Sequence, residues 1–293
     1  MEPNLFKRNW QRLIKCFIHF IDLNGLKLSA ALSYYTVFSI APLLIVIISL
    51  AGVFFGQQAV EGQVYHQISG LVGSDAALQV QDIIGNIRKS NHGVAGGIIG
   101  TIVLIIGASG VFSEIQSSIN YIWNIPPPKK KGFLIAVVRK LISFSLLIAV
   151  SFLLMVSLVV SALAEALSDR LRHLFNGSMV SLFYVLNILF ILIIVSFLFT
   201  LIFKILPNAL IRWKDSVIGA ILTAFLFLIG KFVIGLYLGN SRIGITYGTT
   251  ASIVILMLWV YYSSIILYFG ATFTYIYAAA KGHRIMPRNG YTS

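Results

Sequence analysis

The chain has 293 residues, 58% of them hydrophobic and only 11% charged, with 22 Lys and Arg against 9 Asp and Glu for a net charge of +13. A soluble domain of this length cannot cover its surface with so few charges, so the soluble globular class is excluded and an all-α polytopic membrane protein is expected. Excess basic charge in a soluble protein would suggest nucleic acid; here the cations cluster beside apolar runs, so the bilayer is the expected partner and nucleic acid is not. Cys16 stands alone, which excludes an internal disulfide and a cysteine-based metal cage. The basic N-terminus leads into an amphipathic stretch instead of a compact apolar core, so no cleavable signal peptide is expected.

Residues 1–27 read as a cytoplasmic segment. Within it Leu5, Trp10, Leu13, Ile14, Phe17 and Ile21 share one helical face while Lys7, Arg8, Arg12 and Lys15 project elsewhere. That pattern fits an interfacial helix lying in an anionic membrane surface, or one packed on the helix bundle. Residues 28–280 are expected to form a six-helix transmembrane domain, with spans at about 28–56, 94–123, 141–164, 179–203, 216–238 and 250–280. Residues 281–293 form a cytoplasmic tail. Pro42 kinks the first span and frees a carbonyl that neighbours or water must satisfy. Ser33, Tyr34, Tyr35, Thr36 and Ser39 make the first half of that span polar.

Residues 57–92 connect the first two spans outside the membrane. Val80, Ile83, Ile84 and Ile87 keep helical spacing there after a cap at Ser74, so this extracytoplasmic connection carries a short helix. In the second span small residues recur at four-residue steps, from Gly93 to Gly97 and from Gly96 to Gly100, the spacing that brings helix backbones close in lipid. It then meets Glu114, Gln116, Ser117, Ser118 and Asn120, and stops at Trp123 and Asn124. Asp215 is placed to cap the fifth span. Sixteen Lys and Arg fall in the N-terminal segment, the second and fourth connections and the tail, against five on the opposite side. Both termini are therefore expected in the cytoplasm.

Lys231 is an ammonium inside the fifth span, ~22 Å along it from Ser216. It reads either as a binding point for an anionic group in a wet cavity or as a lysine that snorkels outward or pairs with Glu165 or Asp169. Glu114 lies ~30 Å down its helix, near the cytoplasmic end, too far from Lys231 for a direct pair. With Pro42 and Asn120 it is a candidate for a gating or proton-linked role; the alternative is a carboxylate satisfied at the interface. Tyr261, Ser264, Tyr268, Thr272 and Tyr275 recur at steps of three and four along the sixth span. A face with that many hydroxyls looks into a cavity or into interhelical hydrogen bonds. Tyr34, Tyr35, Lys231, Tyr261, Ser264, Tyr268 and Thr272 are the candidate substrate-binding or cavity-lining set.

Three stretches resemble the BrkB/YihY family of bacterial inner-membrane proteins: LSAALSYYTVFSIAPLL at 28–44, GASGVFSEIQSSINYIWNI at 107–125 and YGTTASIVILMLWVYYSSIILYFGATFTYIYA at 247–278. The region around Pro207 and RWKDSVIGAILTA at 212–224 fits as well. The resemblance implies an inner-membrane protein, with transport or export of a small or lipid-like molecule the usual suggestion for the family. A link to serum resistance and the former label ribonuclease BN, now regarded as misassigned, also come with it. The family pattern often reads Gly-Ala-Glu where this chain has Gly270-Ala271-Thr272, so a mechanism using that carboxylate cannot operate here unchanged.

Enzyme chemistry is not expected. The five histidines are scattered, the nine acids never cluster, and no Gly-rich phosphate loop appears, so no catalytic residue, metal or cofactor is assigned. The leading expectation is a transporter, exporter or lipid-handling protein for a small or anionic amphiphilic substrate, without an ATPase of its own. The rival is a non-transporting scaffold of the cell envelope. Either role is compatible with a homo-oligomer.

Overall fold

The computed structural model describes residues 5–39, 110–126, 177–240 and 251–288, apart from the side chains of 5–10, 177–187, 231, 235–240 and 251–253. The expected span 141–164, Pro42 and the helix expected around 80–87 lie outside the described residues. So do the larger parts of the first two expected spans. The described chain is mostly helical: α1 (Leu5–Asp22), helical residues 25–39 (α2) and 110–122 (α3), α4 (Gly177–Ile205), α5 (Trp213–Asn240) and α6 (Ala251–Ala280). Two short strands, β1 (Ala209–Leu210) and β2 (Met286–Pro287), pair antiparallel with Leu210 opposite Met286. Among the described residues, three helices carry apolar runs long enough to cross a membrane: Ile188–Ile205, Trp213–Ile234 and Val254–Ala280.

The helices end where local chemistry allows. Asn24, Asn124 and Gly282 all have positive φ, at 54°, 55° and 72°. Asparagine and glycine tolerate that left-handed turn better than other residues. After α3 the Ile125 N–H reaches the Asn120 carbonyl, and after α6 the His283 N–H reaches the Ala278 carbonyl, so each turn satisfies carbonyls that the helix end leaves open. Pro207 follows α4 and cannot continue it.

The chain divides into two compact units. The first comprises Met1–Phe20, Ile119–Leu228 and Phe269–Ser293. In it α5 and α6 run antiparallel at very close range. A Cβ on Gly219 would collide with the Thr274 side chain, and one on Gly270 with that of Thr223. Each threonine hydroxyl also donates to the glycine carbonyl one turn back on its own helix, Thr223 to Gly219 and Thr274 to Gly270, both at 2.7 Å. The contact is reciprocal: each helix offers one glycine hole and one threonine knob, four residues apart. Ala220, Ala224 and Ala271 add small side chains to the same buried region.

Around this pair the Trp123 indole donates to the Ala271 carbonyl at 2.9 Å, and Phe199 meets Phe227 edge-on at 6.0 Å. The C-terminal part of α1 packs on α6. Cys16 points its thiol at the Phe269 carbonyl, Phe20 meets the Phe269 ring edge-on, and His19 stacks on Tyr275. Ile14, Phe17, Ile18 and Ile21 remain exposed elsewhere on that helix.

The second unit comprises Ile21–Ser118 and Ile229–Tyr268. In α2 the hydroxyls of Ser29, Thr36 and Ser39 each donate to the carbonyl four residues back, and Ser33 to the one three back. The polarity of this segment is thus absorbed by its own backbone. On α5 and α6 of the same unit, the Tyr262 hydroxyl occupies the space a Cβ on Gly230 would need.

Gly219→Ala should lower the thermal unfolding temperature of the detergent-solubilised protein through an overpacking cost of about 1–3 kcal/mol. Combined with Thr274→Gly it should cost less than the two single substitutions summed, because the clash is shared. Burial pushes the Cys16 thiol up to about 12. At pH 8 almost none of it is thiolate, so maleimide should fail to label the folded protein between pH 7 and 9 and label it rapidly after unfolding.

Candidate functional site

The polar chemistry of the described residues gathers in two clusters, one in each unit. The first joins α3 to α6 in the second unit. Ser118 is buried and donates from its hydroxyl to Oε1 of Glu114, one turn earlier on the same helix, at 3.2 Å. The fully buried Tyr268 on α6 turns its hydroxyl toward Ser118, within electrostatic reach of the Glu114 carboxylate. A carboxylate, an alcohol and a phenol thus meet between two helices. An ionised carboxylate only accepts hydrogen bonds, whereas a hydroxyl can donate or accept. In this arrangement Glu114 accepts from Ser118, and the Tyr268 phenol stands by from the facing helix.

The second cluster lies in the first unit, where α4, α5 and α6 end. Asn120 Oδ1 accepts the Asn208 N–H at 2.9 Å, which ties the end of α3 to the turn after α4. Asp215 sits in the first turn of α5, where an acid complements the helix dipole, and its side chain is only 3% exposed. The turn at Gly282 swings His283 back over it. His283 Nδ1 lies 2.9 Å from one Asp215 oxygen and 3.2 Å from the other, and Arg212 Nη1 lies 2.7 Å from His283 Nε2. A guanidinium can only donate, so Nε2 accepts from Arg212 and the Nδ1 proton goes to the carboxylate. The Lys204 ammonium donates to the Ile211 carbonyl and stands 5.4 Å from the centre of the Trp213 ring. Arg288 closes the turn, its N–H donating to the Asn208 carbonyl at 2.9 Å.

Of the residues singled out in the sequence, Glu114 and Tyr268 come together. Ser264 is buried, and its hydroxyl donates to the Val260 carbonyl at 2.7 Å; Thr272 is fully buried and Tyr261 half-buried. Tyr34 and Tyr35 are 54% and 45% exposed, with their rings edge-on to each other and Tyr34 against Phe38. Asn120 serves as a tether for a turn. Lys231 lies on α5, and its side chain falls outside the described residues. Sequence reasoning missed the Asp215–His283–Arg212 cluster, because 68 residues separate Asp215 from His283. It also missed the pairing of Glu114 with Tyr268. Counting from the expected span starts at 94 and 250, these two lie ~30 Å and ~27 Å along helices entering from the same side, so depth was the available signal.

Three helices of this length and apolarity among the described residues define an α-helical membrane protein. More particularly, the chain belongs to the BrkB family: the family model described as Virulence factor BrkB matches residues 17–289. Similar proteins include a UPF0761 membrane protein of Stenotrophomonas maltophilia (strain K279a), 28% identical over 89% of this chain and 59% of that protein. Another, from Pseudoalteromonas atlantica, is 24% identical over 90% of this chain and 85% of its own length. A third, from Haemophilus influenzae (strain 86-028NP), is 26% identical over 84% and 87% respectively. The chain spans less than two thirds of the Stenotrophomonas relative. No solved structure matches the chain.

His283→Ala removes the donor to a buried carboxylate and should destabilise the fold by about 1–3 kcal/mol. It should also expose the segment after Lys281 to limited proteolysis that the wild type resists. His283→Asn, which keeps a donor near the Nδ1 position, should restore part of that resistance.

Proposed function

We propose that this chain is a transporter, exporter or lipid-handling protein of the bacterial inner membrane, acting on a small or anionic amphiphilic substrate without an ATPase or other enzymatic activity of its own. Six spans, both termini in the cytoplasm and α1 lying along the membrane surface complete the reading. The basic residues beside the spans favour that orientation. The apolar side chains that α1 leaves exposed favour its interfacial position.

The observation that carries the proposal is the Glu114–Ser118–Tyr268 cluster. Glu114 lies towards the cytoplasmic end of its helix, where an acid costs less than at the bilayer centre, yet a residue serving only as packing there would be better apolar. Here Ser118 donates to the Glu114 carboxylate, and the buried Tyr268 hydroxyl of a second helix lies within its electrostatic reach. Protonation or ion binding at Glu114 would change its bond with Ser118 and its electrostatic contact with Tyr268 on α6, which is the kind of coupling a carrier requires. Lys231 supplies a candidate point for the anionic end of the substrate.

The rival reading, a non-transporting envelope scaffold, draws on the close Gly219–Thr274 and Gly270–Thr223 packing, which suits a rigid bundle. Purified protein in liposomes, offered the metabolites or lipids that accumulate in a deletion strain, separates the two. A carrier should move at least one of them. Glu114→Gln removes the charge that Ser118 donates to and should slow that flux roughly 10- to 100-fold, the range for a hydrogen bond to a charged group. Tyr268→Phe should slow it less, with thermal stability retained in both. Absence of flux for every candidate, with Lys231→Met and Glu114→Gln leaving the cellular phenotype intact, would favour the scaffold.

A further inference from the structure

The turn between α4 and α5 and the returning tail make a surface that the proposed transport function does not use. Two membrane-crossing runs stop on either side of this turn, at Ile205 and Trp213, and a third stops at Ala280, where the tail begins. Residues 206–212 and 281–288 therefore stand at the boundary of the bilayer. In a two-stranded pair, opposite residues point the same way. Ala209 is turned inward, while Leu210 and Met286, facing each other across the strands, are 49% and 58% exposed. Trp213, 55% exposed, stands at the start of α5 three residues beyond Leu210. Three large apolar side chains are thus held outward on a backbone that hydrogen bonds have already fixed.

The charge around them has one sign. Arg212, Lys214, Lys281, Arg284 and Arg288 are all exposed. Asp215, the acid in the adjoining first turn of α5, is buried and occupied by His283. Arg288 comes close enough to Lys204 for the two cations to repel. Like charges crowded at a membrane boundary, with no exposed carboxylate in residues 206–215 and 281–288, suit an anion from outside the chain. Exposed apolar side chains among them suit one that carries acyl chains.

We propose that this surface binds anionic phospholipid headgroups of the membrane the helices cross, with Leu210, Met286 and Trp213 entering the acyl boundary and Lys214, Arg284 and Arg288 meeting the phosphates. The proposal rests on the membrane location of α4, α5 and α6 and is independent of whether the protein transports anything. Tryptophan suits such a boundary because its ring is apolar and its N–H polar. Lipid contact at this point would also anchor the tail that covers Asp215.

The test uses the full chain reconstituted in phosphatidylcholine liposomes containing phosphatidylglycerol, with bromine placed on the acyl chains of one lipid or the other. Trp213 emission is isolated as the difference between the wild type and Trp213→Phe. Brominated phosphatidylglycerol should quench it more strongly than brominated phosphatidylcholine at equal mole fraction. The preference should fall by up to about fivefold for each cation removed and vanish in the triple variant Lys214→Gln, Arg284→Gln, Arg288→Gln. Equal quenching of the wild type by both lipids would overturn the proposal. So would quenching by neither, with Trp213 emission the same in liposomes and detergent, which would mean that protein, such as a second copy, covers the surface.

Discussion

The close crossing of α5 and α6 is the contact on which the first unit depends. Lipid tails are as apolar as leucine, so helices in a membrane gain little from burying apolar surface against one another. What holds them is atomic fit, and fit is best where glycine lets two backbones come near. Gly219 and Gly270 supply that nearness, and Thr274 and Thr223 fill it. A threonine hydroxyl pressed against a foreign helix would be an unsatisfied polar group, but each is already bonded to a carbonyl of its own helix. With that crossing set antiparallel, the end of α6 passes the start of α5. Gly282 can then turn the chain so that His283 reaches Asp215.

Among the described residues, hydroxyl groups are used in two ways. Those of Ser29, Thr36, Ser39, Ser263 and Ser264 bond one turn back along their own helix and create no link to another element. Such residues are polar in the sequence and nearly inert in the fold. Ser118 differs, because its partner is a carboxylate and the hydroxyl of Tyr268 faces it from another helix. A run of serines in an apolar span therefore says little about function by itself. A hydroxyl spent on a carboxylate between two helices says more.

The charged groups divide in a similar way. Asp215 neutralises part of the basic end of the molecule from within, through His283 and Arg212, and fixes the tail in place. The remaining cations there keep their charge for the outside. Fixing the tail also creates the two-stranded pair that turns Leu210 and Met286 outward, so the cluster over the buried Asp215 and the exposed apolar tip are consequences of one chain reversal.

Composition alone decided that this is a membrane protein, because 11% charge cannot wet the surface of 293 residues. The long apolar runs of α4, α5 and α6 were legible for the same reason: hydropathy is a sum over neighbouring residues and needs no partner. Glu114 and Tyr268 could be named singly, since a polar group inside an apolar run stands out wherever it ends up. Their meeting could not be read, nor could the meeting of Asp215 with His283. Contacts between residues far apart in sequence depend on helix rotation and separation, and these depend on packing. Whether Gly219 and Gly270 were loose points or docking points was likewise settled only by the facing threonines. The sequence specifies which segments avoid water. Only the tertiary structure decides which of their few polar atoms face one another, because a hydrogen bond fixes distance and direction while hydrophobicity fixes neither.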